Sequence, residues 1–239
     1  MQISGLQKLT LIDYPKKLAC TIFLQGCNFR CGFCHNPELV LPGRITEKYS
    51  EKQILEFLSS RKQYLEAVCI TGGEPLLDPE VLTFIAGIKA LGYLVKLDTN
   101  GSNPELLQKA IEKSLIDYIA MDIKSCKDDY DLLAGASVDI QKIEASIRLI
   151  LNSGRDYEFR TTVIKGHHTP ESLISIGTWV SSLSPEKPKK YCIQSFIPRP
   201  GKLINENFEK IPQFTKAELD NLREAALPYF HEVILKDNI

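Results

Sequence analysis

The sequence predicts an α/β protein built as a partial, TIM-like (β/α)6 barrel of parallel strands that stays open, with a flat doubly wound sheet as the alternative. Three observations carry this. Short apolar runs alternate with amphipathic stretches along almost all of the 239 residues. The amphipathic stretches open on helix-start signals, and polar residues gather where the apolar runs end, the edge at which parallel α/β sheets build their sites.

The first strand is expected over residues 18–24, a run apolar on both faces, as a strand covered on both sides must be. Ser50 with Gln53 then reads as a capping box opening a helix. The second strand, 67–71, runs into Thr71-Gly72-Gly73-Glu74-Pro75. Asp78-Pro79 starts the next helix, with an acceptor at the N-cap and a proline where a missing N–H costs nothing. The third strand, 93–97, ends at Asp98-Thr99-Asn100-Gly101 and is followed by a helix from Asn103-Pro104. The fourth, 118–123, carries Asp122-Ile123-Lys124. After it, Ile140, Ile143, Ile147, Ile150 and Leu151 form a helical stripe stopped near Gly154. A fifth strand at 159–164, a helix from Thr169-Pro170, a sixth strand at 191–197 and a helix boxed by Thr215 and Glu218 complete six units. Residues 233–235 are a weaker seventh run.

No linker, low-complexity tract or second periodicity interrupts this rhythm, so residues 1–239 are expected to form a single domain. Apolar residues make up 44% and charged residues 25%, which excludes disorder and fibrous repeats. A formal net charge of -1 gives no long-range pull toward nucleic acid or an anionic membrane surface. No apolar run reaches membrane-spanning length, and the first residues lack an export signal, so the expected compartment is the cytoplasm.

Seven cysteines, an odd number in a chain with no export signal, argue against a disulfide scaffold. Three fall within Cys27-Asn28-Phe29-Arg30-Cys31-Gly32-Phe33-Cys34-His35. Zinc needs a fourth ligand that the adjacent His35 is badly placed to give. The haem pattern C-x-x-C-H and a thioredoxin-like pair each leave Cys27 without a role. Three thiolates on a four-iron cluster leave one iron open to a small molecule. Cys20 and Cys69 lie in apolar strands and read as packing residues, and Cys126 and His167-His168 as loop residues.

The C-x3-C-x2-C spacing, with Phe33 before the last cysteine, resembles the radical S-adenosylmethionine (SAM) enzymes. Gly72-Gly73-Glu74 at the next strand end is similar to that superfamily's GGE motif. Gly5-Leu6-Gln7-Lys8-Leu9-Thr10-Leu11-Ile12-Asp13-Tyr14-Pro15, Leu24-Gln25-Gly26-Cys27-Asn28, Cys34-His35-Asn36-Pro37, Asp98-Thr99-Asn100-Gly101 and Asp122-Ile123-Lys124 resemble activating enzymes of glycyl radical proteins. The likeness is greatest to the anaerobic ribonucleoside-triphosphate reductase activating type, with the pyruvate formate-lyase activators as close relatives, and it spans about residues 1–200.

The resemblance implies one 4Fe-4S cluster on Cys27, Cys31 and Cys34. SAM would be held by Phe33, Gly72, Gly73, Glu74, Asp98, Asn100, Asp122, Lys124, Arg160 and Thr162, with Phe196 against its adenine. Lys124 would act as a catalytic residue touching the cofactor or the incoming peptide, and a monovalent cation would sit near Asp98 and Asp122. Reductive cleavage of SAM would give a 5′-deoxyadenosyl radical that takes hydrogen from a glycine of a partner glycyl radical enzyme, here anaerobic ribonucleotide reductase. A pyruvate formate-lyase type partner or a small-molecule substrate is the alternative. No second cysteine quartet is present, so flavodoxin or ferredoxin is the implied electron donor. The stretch from Pro198 to Phe214 is a candidate docking rim.

Overall fold

The apolar runs do become strands, joined in sequence order into one eight-stranded sheet. A computed structural model describes residues 1–41 and 48–236 of the chain. Its strands are β1 (Ile3–Thr10), β2 (Ala19–Leu24), β3 (Ala67–Gly72), β4 (Leu94–Thr99), β5 (Tyr118–Asp122), β6 (Asp156–Val163), β7 (Lys190–Ser195) and β8 (Glu232–Lys236). From β2 to β8 every neighbouring pair is parallel. β8 does not pair with β1, so the barrel is open between these two edges.

β1 was not foreseen, and it runs antiparallel to β2, with Ile3 opposite Leu24 and Thr10 opposite Ala19. Its middle residues are partly or fully exposed, as befits an edge strand, so it lacks the apolar run that marks the others. The helices are α1 (Pro37–Val40), α2 (Glu51–Arg61), α3 (Val81–Ala90), α4 (Pro104–Glu112), α5 (Tyr130–Ala134), α6 (Ile140–Leu151), α7 (Pro170–Ser181) and α8 (Lys216–Ala226). The expected capping boxes close on α2 and α8, and Asn103 caps α4 through the Leu106 N–H. The helix expected from Pro79 begins two residues later. Asp78 instead accepts from the Glu80 N–H at 2.9 Å, in a turn that follows a short 3-10 segment over Pro75–Leu77.

Alternation along the strands separates two interiors. One set of side chains, including Ile22, Ile70, Leu97, Ile119, Phe159 and Ile193, packs beneath the helices in the main core. The alternate set faces the barrel interior. Tyr14, Ala19, Ala67, Cys69, Tyr118 and Ala120 fill its floor, while the residues nearer the C-terminal strand ends are charged or polar. Cys20 and Cys69 are buried packing residues, 0% and 1% exposed. Among the described residues, no helix is long and apolar enough to cross a membrane.

Candidate functional site

Loop 25–36 leaves β2 at the C-terminal mouth of the sheet and is pinned at several points. Gly26 donates to the Leu39 carbonyl at 2.8 Å, Arg30 to the Ala134 carbonyl at 2.8 Å, and Cys34 to the Cys31 carbonyl at 3.0 Å. Gly135 ends α5 in a left-handed conformation, and a Cβ there would meet the Arg30 carbonyl oxygen at 2.2 Å. Cys27, Cys31 and Cys34 all line one cavity of about 240 Å³.

Packed against the start of this loop is the end of β3. Gly72 has φ +127, and a Cβ on it would lie 2.2 Å from the Leu24 carbonyl oxygen; one on Gly73 would lie 1.9 Å from that of Gly26. Glycine is required because the β3 turn presses directly on the backbone that leads into the cysteine loop. Gly73 and Glu74 N–H groups donate to the Leu24 and Gly26 carbonyls at 2.9 and 2.7 Å. Gly72 and Gly73 line the cavity with Thr71.

Glu74 does not line it. Its side chain is turned inward at 2% exposure and accepts from the Leu76 N–H at 3.0 Å, the Thr99 hydroxyl at 2.8 Å and the Asn100 N–H at 2.6 Å. The expected carboxylate for an ammonium group is therefore occupied in tying β3 to β4. Burial pushes its carboxyl up, to about 7, against these three donors.

The polar strand ends converge as alternation requires. Asp98, Asn100, Asp122, Lys124, Arg160 and Thr162 all line the same cavity. Arg160 donates from Nε to Asp122 at 2.8 Å and from its terminal nitrogen to Asp98 at 3.0 Å. Lys124 pairs with the second Asp122 oxygen at 3.0 Å, and Lys96 with the second Asp98 oxygen. Burial alone would raise both carboxyls, but the Arg160 charge, with Lys124 and Lys96, holds them below the usual range. Burial would likewise lower the Lys124 ammonium, and Asp122 more than compensates, so it stays protonated. All four carboxylate oxygens already face a protein cation.

Lys96 was missed, although two residues from Asp98 on a strand is the spacing that shares a face. Asn100 reaches the cysteine loop, donating to Asn28 Oδ1 at 2.9 Å. Phe33 lines the cavity, whereas Phe196 does not: it is 2% exposed, and His35 stacks on it at 5.5 Å with a 14° tilt. That ring face is covered by protein, so the expected adenine contact finds no open surface there. Cys126 lies apart, beside Lys127 and Trp179 in another groove.

His168, read as a loop residue in a solvated turn, is 2% exposed. Its Nδ1 accepts from the Ile164 N–H at 3.1 Å, which leaves Nε2–H to donate to the Lys124 carbonyl at 3.1 Å. Burial lowers its pKa to about 4, so the ring is neutral near pH 7.

The donor set fits an iron-sulfur group. Three soft thiols line one cavity, and among the described residues the rest of its lining offers backbone and charged groups and no fourth sulfur. Burial pushes the Cys27 thiol up to about 11 and raises those of Cys31 and Cys34, so taking up iron must displace their protons. Among the described residues, no three His, Cys, Asp or Glu side chains gather around a single-ion position.

Residues 21–175 match the profile of the Radical SAM superfamily. A Methanocaldococcus jannaschii protein, described as a candidate glycyl-radical enzyme activating enzyme, is 32% identical over 98% of this chain and 95% of its own length. The pyruvate formate-lyase-activating enzyme of Listeria monocytogenes is 30% identical over 55% of this chain and 56% of its own. Streptococcus suis SuiB, solved with S-adenosylmethionine bound, superposes with a TM-score of 0.67 at 17% identity, over 90% of this chain and 49% of SuiB. The chain thus spans nearly all of the first relative and about half of the other two.

Proposed function

The chain belongs to the radical SAM superfamily and, within it, to the glycyl-radical enzyme activating enzymes, and from that membership we propose that it generates a radical on one glycine of a partner protein. Anaerobic ribonucleotide reductase is the proposed partner, flavodoxin or ferredoxin the proposed electron donor, and the cytoplasm the proposed compartment, with residues 1–239 acting as one domain. The observation that supports this is the meeting of three loop thiols with the charged ends of β4, β5 and β6 around one cavity.

Cys27, Cys31 and Cys34 would hold a 4Fe-4S cluster, which together with bound SAM would supply the one-electron reductive chemistry that yields a hydrogen-abstracting radical. The protein's own residues align and enclose. Lys124 and Arg160 bring positive charge to the cavity for the SAM carboxylate. Asp98, Asp122, Asn100 and Thr162 offer acceptors for its ammonium and ribose hydroxyls, and the backbone of Gly72 and Gly73 allows close approach. A monovalent cation beside Asp98 and Asp122 would have to displace Lys96, Lys124 or Arg160 from an existing pair.

We assign entry of the partner segment to the gap between β8 and β1, the two unpaired edges of the sheet. Arg199 and Lys202 border a groove with His35, Asn36 and Glu38 beside the cysteine loop, and we assign docking of the partner to this part of the rim. Anaerobic reconstitution should give a brown protein with about four irons, forming 5′-deoxyadenosine on reduction. Mixing it with candidate partners should produce a glycyl signal by electron paramagnetic resonance. A colourless protein, or nucleoside formation with no signal on either an anaerobic reductase or a pyruvate formate-lyase, would refute the proposal.

A further inference from the structure

Segment 205–211 lies directly on the cysteine loop. The Asn205 N–H donates to the Gly32 carbonyl at 3.0 Å. The Phe208 ring presses on Gly32 so closely that a Cβ there would lie 2.5 Å from it. Phe208 also meets Phe33 at 6.1 Å and Phe196 at 6.4 Å, and His167 stacks on it at 5.5 Å with a 12° tilt. The Asn205 side chain caps the following 3-10 turn, Glu206–Lys210, by accepting from the Asn207 N–H at 2.9 Å. An aromatic side chain delivered from beyond β7 thus covers the one glycine between two of the three assigned ligands.

We propose that Phe208 is a positioning residue that clamps the Cys31-Gly32-Phe33-Cys34 turn and shuts it off from bulk solvent. Glycine at 32 is then needed to admit the ring, and the backbone bond from Asn205 sets its height. His167 stacks on the ring and braces it. Neighbouring His168 holds the Lys124 carbonyl, so the β6–α7 connection supports the cover and the end of β5 together. The role rests on the assignment of these cysteines as cluster ligands, but the geometry can be tested without a cluster.

The test compares wild type, Phe208→Ala and Phe208→Leu. In the metal-free protein, each thiol is alkylated with iodoacetamide and followed by mass spectrometry, with buried Cys20 and Cys69 as internal controls. Losing a contact of one residue's size should favour local opening roughly 5–30-fold, so Cys31 and Cys34 in the Ala variant should label faster by that factor. Cys20 and Cys69 should label unchanged, and Leu should restore most of the protection. In the reconstituted protein, bleaching of the cluster absorbance in air should accelerate in the same order. Unchanged labelling of Cys31 and Cys34, or acceleration shared equally by Cys20 and Cys69, would overturn the proposal. Selective labelling in a protein that never takes up iron would uphold the clamp while removing the cluster.

Discussion

Arg160 and Asp122 are joined by a 2.8 Å hydrogen bond across neighbouring strands, and the same guanidinium spans onward to Asp98 on the far side of β5. One cation thus bridges two carboxylates inside the barrel mouth, and each of these also pairs with a lysine.

Replacing Arg160 with Leu should destabilise the metal-free protein by about 1–3 kcal/mol at pH 7, because two partly buried carboxylates lose their shared partner and each keeps only a lysine. In wild type both carboxyls are held low, so their contribution is present above ordinary carboxylate values and lost only as pH falls through the depressed ones. In the variant, burial acts with less opposition and raises them. The gap in melting temperature between the two proteins should therefore narrow on going from pH 7 toward pH 4; a constant gap would show that the ion pairs are not its source.

Glu74→Gln puts an amide donor where three donors already point, and should cost about 1–3 kcal/mol in urea unfolding. The wild-type carboxyl is raised from 4.5 to about 7, so its contribution is complete below 4.5 and fades as pH climbs through 7. The variant should lack that decline. An unchanged pH slope would mean that Glu74 is ionised throughout.

His168 has the opposite sign. Its pKa is lowered from 6.5 to about 4, so the stability it confers is present above 6.5 and lost as pH falls through 4. His168→Phe should abolish that loss, orphan the Ile164 N–H, and weaken SAM binding by shifting the Lys124 backbone. Calorimetric titration of the reconstituted variant with SAM checks the last point; an affinity equal to wild type would confine His168 to a folding role.

Gly72→Ala and Gly154→Ala separate close approach from backbone conformation. Both have positive φ, but an added Cβ at 154 meets nothing within 4 Å. Gly154→Ala should cost roughly 1–2 kcal/mol. Gly72→Ala, which would strike the Leu24 backbone, should exceed ~3 kcal/mol and impair iron uptake. Equal losses in chemical unfolding would show that the β3 turn yields.

The sequence was legible where chemistry and periodicity agreed. The cysteine triplet, the paired glycines and the charges at positions 98, 122, 124 and 160 could all be placed at one mouth, because alternation on parallel strands leaves little choice of face. Glu74 and Phe196 could be assigned only by likeness, since burial and partners decide whether a carboxylate or a ring is free, and both depend on residues distant in sequence. β1 escaped because an exposed edge strand has no apolar signature. His168 escaped because nothing near it in sequence reveals that the Lys124 carbonyl lies beside it, and Phe208 because its contact spans 176 positions, 208 minus 32.

The reversed direction of β1 has a practical corollary. Ile3 lies level with Leu24 and Lys236 level with Gln194, so both edges of the gap carry a strand terminus on the rim from which the cysteine loop departs. Fluorophores attached near residues 3 and 236 would form a ruler across that opening, reporting by energy transfer whether it widens when a candidate partner protein is added. Bulky affinity tags fused at those same points would obstruct the doorway being measured.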